Sequence, residues 1–187
     1  NSAEELLALV KANPGKYSFA SSGAGSSTHM SGELFKSMSG TDIMHVPYRG
    51  SGQALVDLMG GQVHMSFDNA PSAVPLAKSG KVKALAVTGK ERLTALPNTP
   101  TLNESILPGY ESLSWTGVAV SGGTPQPIID RLNREINAIL KQPDVQAKLE
   151  ELGAKPTGGS QQDFNAHIAS ERAKWAKIIA SANIPRQ

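Results

Sequence analysis

A strand–loop–helix unit recurs through the first half of this 187-residue chain and limits the possible folds more than any other feature. Short apolar runs typical of buried strands occur at residues 17–20, 43–46, 63–67 and 82–87. Helix-length segments separate the runs, with apolar residues three or four positions apart. Because parallel strands are joined by helical crossovers of this length, the pattern predicts an α/β fold with all four strands in one sheet.

The two ends of the chain predict helices without strands between them. One helix is expected over residues 4–12, because Ser2 and Glu5 form a capping box and a turn at residues 13–15 ends the pattern. After a proline-interrupted connector at residues 88–109 and an extended segment at 111–120, further helices are expected at residues 125–140, 143–152 and 160–182.

These terminal helices cannot belong to the repeated unit, so the sequence predicts two lobes. We expect one nearly complete α/β lobe at residues 17–113, and a second lobe to which residues 1–16 and 114–187 both contribute. The first helix should then pack with the C-terminal helices. A ligand cleft is expected between the lobes.

Composition excludes several classes of function. The chain has no cysteine, which excludes disulfides, thiolate metal sites and cysteine nucleophiles. Its formal net charge is +2 and its basic residues are scattered, so neither a nucleic-acid groove nor a polybasic membrane patch is predicted. The histidines lack zinc-site spacing, and no apolar run approaches the ~18 residues of a membrane span. We therefore expect no metal and no cofactor, and a small anionic ligand remains compatible with these data.

The strongest local signal is a small-residue loop between the first strand and the second helix. Its glycines allow close backbone approach, and the free N–H groups of the following helix start attract an anion such as a carboxylate or phosphate. The candidate binding residues of this 22–27 loop are Ser22, Gly23, Ala24, Gly25, Ser26 and Ser27. The alternative is a tight turn in which Ser26 or Ser27 only caps the helix.

Other polar residues are expected near the same rim, because loops at the carboxyl ends of parallel strands converge. His29 begins the second helix and is interpreted as a binding or packing residue, since no serine-nucleophile motif or orienting acid lies nearby. Tyr48 and Arg49 offer an aromatic wall and a guanidinium to an anion, or are a packed ring and a solvated cation. Asp68 either caps a helix or accepts a hydrogen bond from a ligand.

An enzyme is the main alternative to a binding protein. The Gly23-Ala24-Gly25 run follows a strand and opens a helix, as in a dinucleotide-binding fingerprint. However, Thr28 occupies the third glycine position, and Arg49 lies near the site where an acidic ribose ligand would be needed. A nucleotide-binding α/β enzyme and a protein-interaction module therefore remain as alternatives.

The order of motifs along the chain is similar to that of the tripartite tricarboxylate transporter receptors, also called Bug receptors. The motifs are YSFASSGAGSSTH at residues 17–29, VPYRG at 46–50, DLMGGQV at 57–63, VKALAV at 82–87, LPNTPT at 96–101, WTG at 115–117 and GTP at 123–125. They extend over essentially the whole chain, and their joint occurrence is more specific than any single motif.

This resemblance implies a periplasmic receptor with a two-lobed, type II periplasmic-binding-protein fold and no catalytic activity. Such a receptor closes on a small carboxylate, whether a di- or tricarboxylate, an amino acid or an aromatic acid, and delivers it transiently to membrane permease subunits. The resemblance further implies that the 22–27 loop and the helix start at His29 face the ligand carboxylate. Tyr48, Arg49 and Asp68 are secondary candidates. Main-chain N–H groups donate equally well to any carboxylate, so the choice of acid depends on more distant contacts.

The beginning of the chain departs from the family pattern, since residues 1–16 do not match the first lobe of these receptors. We therefore expect a shortened receptor without its signal peptide and N-terminal lobe. The C-terminal helices would then lack a sheet to cover, leaving apolar side chains such as Ile128, Ile136, Trp175 and Ile179 in water. Self-association of the chain is the expected result.

Overall fold

Three parallel strands form the sheet of this protein, whose computed structural model describes residues 2–181. The strands are β1 (Ser18–Ser21), β2 (Met44–Pro47) and β3 (Met65–Ser66), in the order β2-β1-β3. Phe19 on the central strand pairs with His45 on one side and Met65 on the other. The helices are α1 (Ala3–Ala12), α2 (Ser27–Ser39), α3 (Ser51–Met59), α4 (Ala70–Lys78), α5 (Leu102–Ser105), α6 (Gln126–Ile139), α7 (Pro143–Glu151) and α8 (Gln161–Ser181).

The main hydrophobic core lies against the central strand. All four residues of β1 are buried, and Phe19 contributes a fully buried ring to a cluster with Phe35, Ile43 and Tyr110. The Tyr110 hydroxyl donates a hydrogen bond of 2.8 Å to the carbonyl of Ser31 in α2, which satisfies its only polar atom inside the core. This packing fixes α2 against the sheet and thereby holds the loop between β1 and α2.

Helix α1 packs mainly on this same core, which α8 also contacts through Ile178, so the expectation that α1 packs chiefly with the C-terminal helices is wrong. Ala3 and Val10 are buried in the cluster that contains Phe19. The turn after α1 reverses the chain instead of carrying it to another lobe, because the N–H of Gly15 donates to the carbonyl of Asp42 at 3.0 Å. The division of the chain into lobes at residues 16 and 113 stays a prediction.

The predicted fourth strand at residues 82–87 is also wrong. Within residues 2–181, this segment contributes only one isolated parallel bridge, between Val87 and Thr101. Val87 donates to the carbonyl of Pro100 and accepts from the N–H of Leu102, so its backbone pairs with the connector rather than with β3. Residues 111–120, which were expected to be extended, contain neither helix nor strand.

The three C-terminal helices lie largely in water. Among residues 2–181, no side chain of α6, α7 or α8 is buried. Ile128 is 50% exposed, as expected, whereas Ile136, Trp175 and Ile179 are partly covered. Within the same residues, no helix is both long enough and apolar enough to span a membrane.

Candidate functional site

Three polar loops meet at the carboxyl ends of the three strands, as the sequence predicted for parallel strands. Side chains connect the helix starts that follow them. The Ser27 hydroxyl at the start of α2 lies 3.4 Å from the Asn69 amide oxygen at the N-cap of α4. The Ser51 hydroxyl at the start of α3 donates to Asp68 at 2.7 Å. The N-termini of α2, α3 and α4 are thus held at one rim.

The 22–27 loop is stabilised by hydrogen bonds among its own residues. The Ser26 hydroxyl donates to the Gly23 carbonyl at 2.6 Å and accepts from the N–H of His29 at 3.3 Å, so it is the N-cap of α2. Gly23 and Gly25 have φ angles of 141° and 76°, which favour glycine. The capping alternative is therefore confirmed for Ser26. It does not remove the loop from the candidate site, because capping leaves other donors of the helix start free.

Thr28 organises this loop, although the sequence analysis did not include it in the site. It is buried, and its hydroxyl oxygen accepts the N–H of Ser22 at 2.8 Å. The same oxygen lies 3.0 Å from the Ser22 hydroxyl and 2.9 Å from the Ser26 hydroxyl. A hydroxyl at the second position of a helix preceded by two loop serines is the sequence signal that could have indicated this role.

Three main-chain donors of the loop and helix start remain available to a ligand. Within residues 2–181, the N–H groups of Ala24, Ser27 and Thr28 have no hydrogen-bond acceptor. By contrast, Gly23 donates to the Ser21 hydroxyl and Gly25 donates to Nδ1 of His29. Free donors at the positive end of a helix dipole form an anion site, so the arrangement suits a carboxylate.

Two stacked imidazoles lie directly behind the 22–27 loop. The rings of His29 and His45 are 3.9 Å apart between centroids and 18° from parallel. Nε2 of His45 is 2.6 Å from the hydroxyl of Ser21, and Phe19 stacks on the His45 ring. Burial, and to a lesser extent the neighbouring His29, lowers the pKa of His45 to about 4, and burial also lowers the pKa of His29. Both rings are therefore neutral at pH 7.

Within residues 2–181, the polar side-chain atoms of Tyr48 and Arg49 form no hydrogen bond to the 22–27 loop, although the Tyr48 carbonyl lies beside Gly23. The Tyr48 hydroxyl donates to Asp57 at 2.8 Å, which raises the pKa of the phenol, and its ring lines a surface pocket beside α3 with Val56. The Arg49 side chain is exposed and forms no hydrogen bond or ion pair with residues 2–181. Tyr48 is therefore a packed ring and Arg49 a solvated cation, which were the alternatives to ligand binding. Contact of either side chain with a ligand stays a prediction.

Asp68 connects two of the three helix starts. Its Oδ1 accepts the hydroxyls of Ser51 and Ser72 at 2.7 and 3.0 Å and the N–H of Asn69 at 2.7 Å. Its Oδ2 is buried and has no partner within the described part of the chain. Asn69, not Asp68, is the N-cap of α4. Asp68 therefore braces α3 against α4, and direct contact of its carboxylate with a ligand stays a prediction.

Comparison with known proteins identifies similar sequences along nearly the whole chain. The model of the tripartite tricarboxylate transporter family receptor matches residues 1–184. A protein of Pseudomonas sp. (strain P51), described as the UPF0065 protein in the tcbD-tcbE intergenic region, is 41% identical over 94% of this chain and 52% of its own length. Protein BugT of Bordetella pertussis is 36% identical over 96% of this chain and 55% of its own length. The chain thus spans about half the length of these two relatives.

Solved structures are also similar to this chain along nearly its whole length. The structure of R. palustris Rpa4515 with adipate superimposes with a TM-score of 0.95 at 40% identity, covering 97% of this chain and 61% of that one. MatC (Rpa3494) from Rhodopseudomonas palustris with bound malate superimposes with a TM-score of 0.87 at 31% identity, covering 96% and 62%. The periplasmic binding protein BugD has a TM-score of 0.90 at 32% identity, covering 100% and 63%.

Proposed function

Since this chain belongs to the tripartite tricarboxylate transporter receptor family, we propose that it supplies the carboxylate-binding lobe of a periplasmic solute receptor. The family is one of receptors, so the nucleotide-binding enzyme considered from the Gly23-Ala24-Gly25 run is not supported. The proposed ligand is a small carboxylate. Two similar structures, one with adipate and one with malate, support this class of ligand because both are dicarboxylates.

The main support for this site is the set of free N–H groups of Ala24, Ser27 and Thr28. They lie at the start of α2, where the dipole favours an anion. A Cβ atom built on Gly25 would meet no atom within 4 Å, so the loop is open on that side. A carboxylate at this point would be held by main-chain donors, with the serine hydroxyls maintaining the loop.

The remaining parts of the function rest on the family. We propose that a second lobe, to which residues 114–187 contribute, closes over the ligand and that the closed receptor delivers it to the permease subunits of the transporter. The periplasm is the proposed location, in agreement with the descriptions of the similar structures as periplasmic proteins.

A pair of glycine substitutions tests the site in the full-length gene product. A thermal-shift screen of mono-, di- and tricarboxylates first identifies a ligand, and calorimetry then measures its affinity. Gly25→Val should weaken binding about tenfold or more, because valine restricts a backbone with φ 76° and covers the open side of the loop. Gly80→Val is the matched control, since Gly80 has φ 71° and equally open surroundings but lies after α4.

The two variants separate backbone strain from ligand contact. Both should lose similar stability, and only Gly25→Val should lose affinity. A folded Gly25→Val protein that binds as tightly as wild type would exclude the 22–27 loop from the site. If no carboxylate shifts the melting temperature of wild type, the proposed ligand class is wrong.

A further inference from the structure

One contact in the site depends on protonation. The N–H of Gly25 donates to Nδ1 of His29 at 3.1 Å, so that nitrogen must carry its lone pair. The ring proton of the neutral imidazole therefore lies on Nε2. Because Gly25 is an exposed glycine in the left-handed region, this hydrogen bond ties the exposed part of the 22–27 loop to the buried first turn of α2.

The surroundings of His29 keep its ring neutral and fixed. The residue is 7% exposed, and His45 of β2 stacks on its ring, with Phe19 of β1 on the same side and packed against His45. On its own helix, Nε2 lies 3.8 Å from Glu33, whose carboxylate is already paired with Lys36 at 2.9 Å. Burial lowers the pKa of His29, with Glu33 opposing and Lys36 adding to the shift.

On the basis of the proposed function, we propose that His29 is a positioning residue that holds the 22–27 loop in its anion-binding form only while Nδ1 is unprotonated. A proton on Nδ1 would set two donors, the imidazolium N–H and the Gly25 N–H, against each other across 3.1 Å. The loop would then leave its present geometry, and the carboxylate would be released. Acidification thus weakens binding through the loop.

The positioning role predicts a pH dependence of affinity opposite to the one expected from charge attraction alone. An imidazolium behind the 22–27 loop would by itself attract a carboxylate, so affinity would rise as the pH falls. Positioning requires the reverse, with the loss of affinity centred below pH 6.5, the ordinary pKa of histidine, because burial lowers the pKa of His29. The sign of the pH dependence therefore distinguishes the two effects.

Three variants of the full-length gene product test the proposal by calorimetry with adipate and malate between pH 4.5 and 8. His29→Asn keeps an acceptor near the position of Nδ1 and does not titrate, so the ratio of its affinity to that of wild type should be about tenfold higher at pH 4.5 than at pH 8. His29→Leu removes the acceptor at every pH, so it should bind about tenfold more weakly than wild type at pH 8 and about as weakly as wild type at pH 4.5. His167→Asn, on the exposed surface of α8, is the control and should follow wild type. Comparing each variant with wild type at the same pH cancels protonation of the ligand.

If a variant fails to fold, a measurement on the wild-type protein tests the role of His29 instead. Binding and protonation are linked reciprocally, so the pKa of His29 followed by NMR should be lower in the complex than in the free protein. A higher pKa in the complex, or a His29→Asn profile parallel to that of wild type, would overturn the positioning role. Absence of carboxylate binding to wild type at every pH would instead contradict the proposed function.

Discussion

At the scale of single residues, the hydroxyls of the 22–27 loop bond mainly to the loop itself. These serines were candidate binding residues, but Ser22 and Ser26 direct their hydroxyls to Thr28 and Gly23. Residue types predict which groups are available, whereas side-chain rotamers decide which remain free. The glycine positions were more informative, because a φ angle of 76° at Gly25 is a backbone property that the residue type indicates.

The tight contact of α2 with β1 depends on the absence of a side chain at Gly32. A Cβ atom built there would lie 2.6 Å from Cζ of Phe19, whose ring is fully buried. We expect Gly32→Ala to lower the free energy of unfolding by about 1–3 kcal/mol. Gly52→Ala, in α3 and without any atom within 4 Å of its Cβ position, should raise it by up to about 1 kcal/mol. Urea denaturation of both variants measures the difference, and equal effects would contradict the packing argument.

The half-buried His45 makes stability depend on pH. Its pKa is about 4 in the folded protein and 6.5 in the ordinary case, so the unfolded chain binds the proton more readily between these values. The contribution is complete above pH 6.5, and we expect about 1–2 kcal/mol of it to be lost as the pH falls toward 4, because solvent partly screens the half-buried ring. Urea denaturation at pH 7.5, 6, 5 and 4 measures this loss. His45→Gln should reduce the slope, and an unchanged slope would assign the effect to other groups.

At the scale of elements, helices and strands that are short and well bounded could be predicted, but their partners could not. Helix α2 followed from its apolar spacing, and in the structure it ends at Gly40, a left-handed C-cap with φ 65°. Helix α1 was also predicted correctly, but its packing partner was not, because the turn at residues 13–15 does not indicate where the chain goes next. The apolar run at residues 82–87 resembles a strand, but its backbone pairing depends on the distant segment at Pro100, which no local pattern reveals.

Helix caps of α1 and α2 allow a matched comparison. Ser2 and Ser26 both cap a helix with one hydroxyl, but only Ser26 also donates to the Gly23 carbonyl. Each substitution by alanine should cost about 1 kcal/mol in the free energy of unfolding. Ser26→Ala should in addition weaken carboxylate binding, whereas Ser2→Ala should not. Calorimetry on the two folded variants checks this, and equal affinities would mean that the Ser26 hydroxyl is not needed to hold the loop in its binding form.

At the scale of the whole molecule, one part of the chain buries hydrophobic cores and the other part is largely exposed to solvent. The sheet and α1 to α5 enclose the hydrophobic cores, while α6 to α8 contribute no buried side chain within residues 2–181. The family resemblance and the α/β periplasmic-binding-protein-like fold class were predicted from the joint order of motifs and are confirmed by the comparisons. Composition and charge alone could not have identified them, because they are shared by most globular proteins.

The exposed stripe of α6 predicts association of the 187-residue chain. Ile128, Leu132 and Ile139 lie on one face of the helix, with Ile128 50% and Ile139 48% exposed. We expect light scattering to detect dimers or larger species whose proportion rises with concentration. Ile128→Lys combined with Ile139→Lys should restore a monomer, whereas the same added charge at Gln146 and Gln162 on exposed surface should not. A monodisperse wild-type chain at high concentration would contradict the prediction.

The free N–H groups of Ala24, Ser27 and Thr28 also bear on how such receptors can diversify. A peptide N–H is the same group whatever side chain its residue carries, so mutation leaves the donors intact as long as the backbone keeps its course. In the proposed site, recognition of the acid group would thus be separate from recognition of the rest of the ligand. A descendant of this protein could then acquire a different acid through substitutions elsewhere, while the proposed main-chain contacts to the carboxylate stay in place.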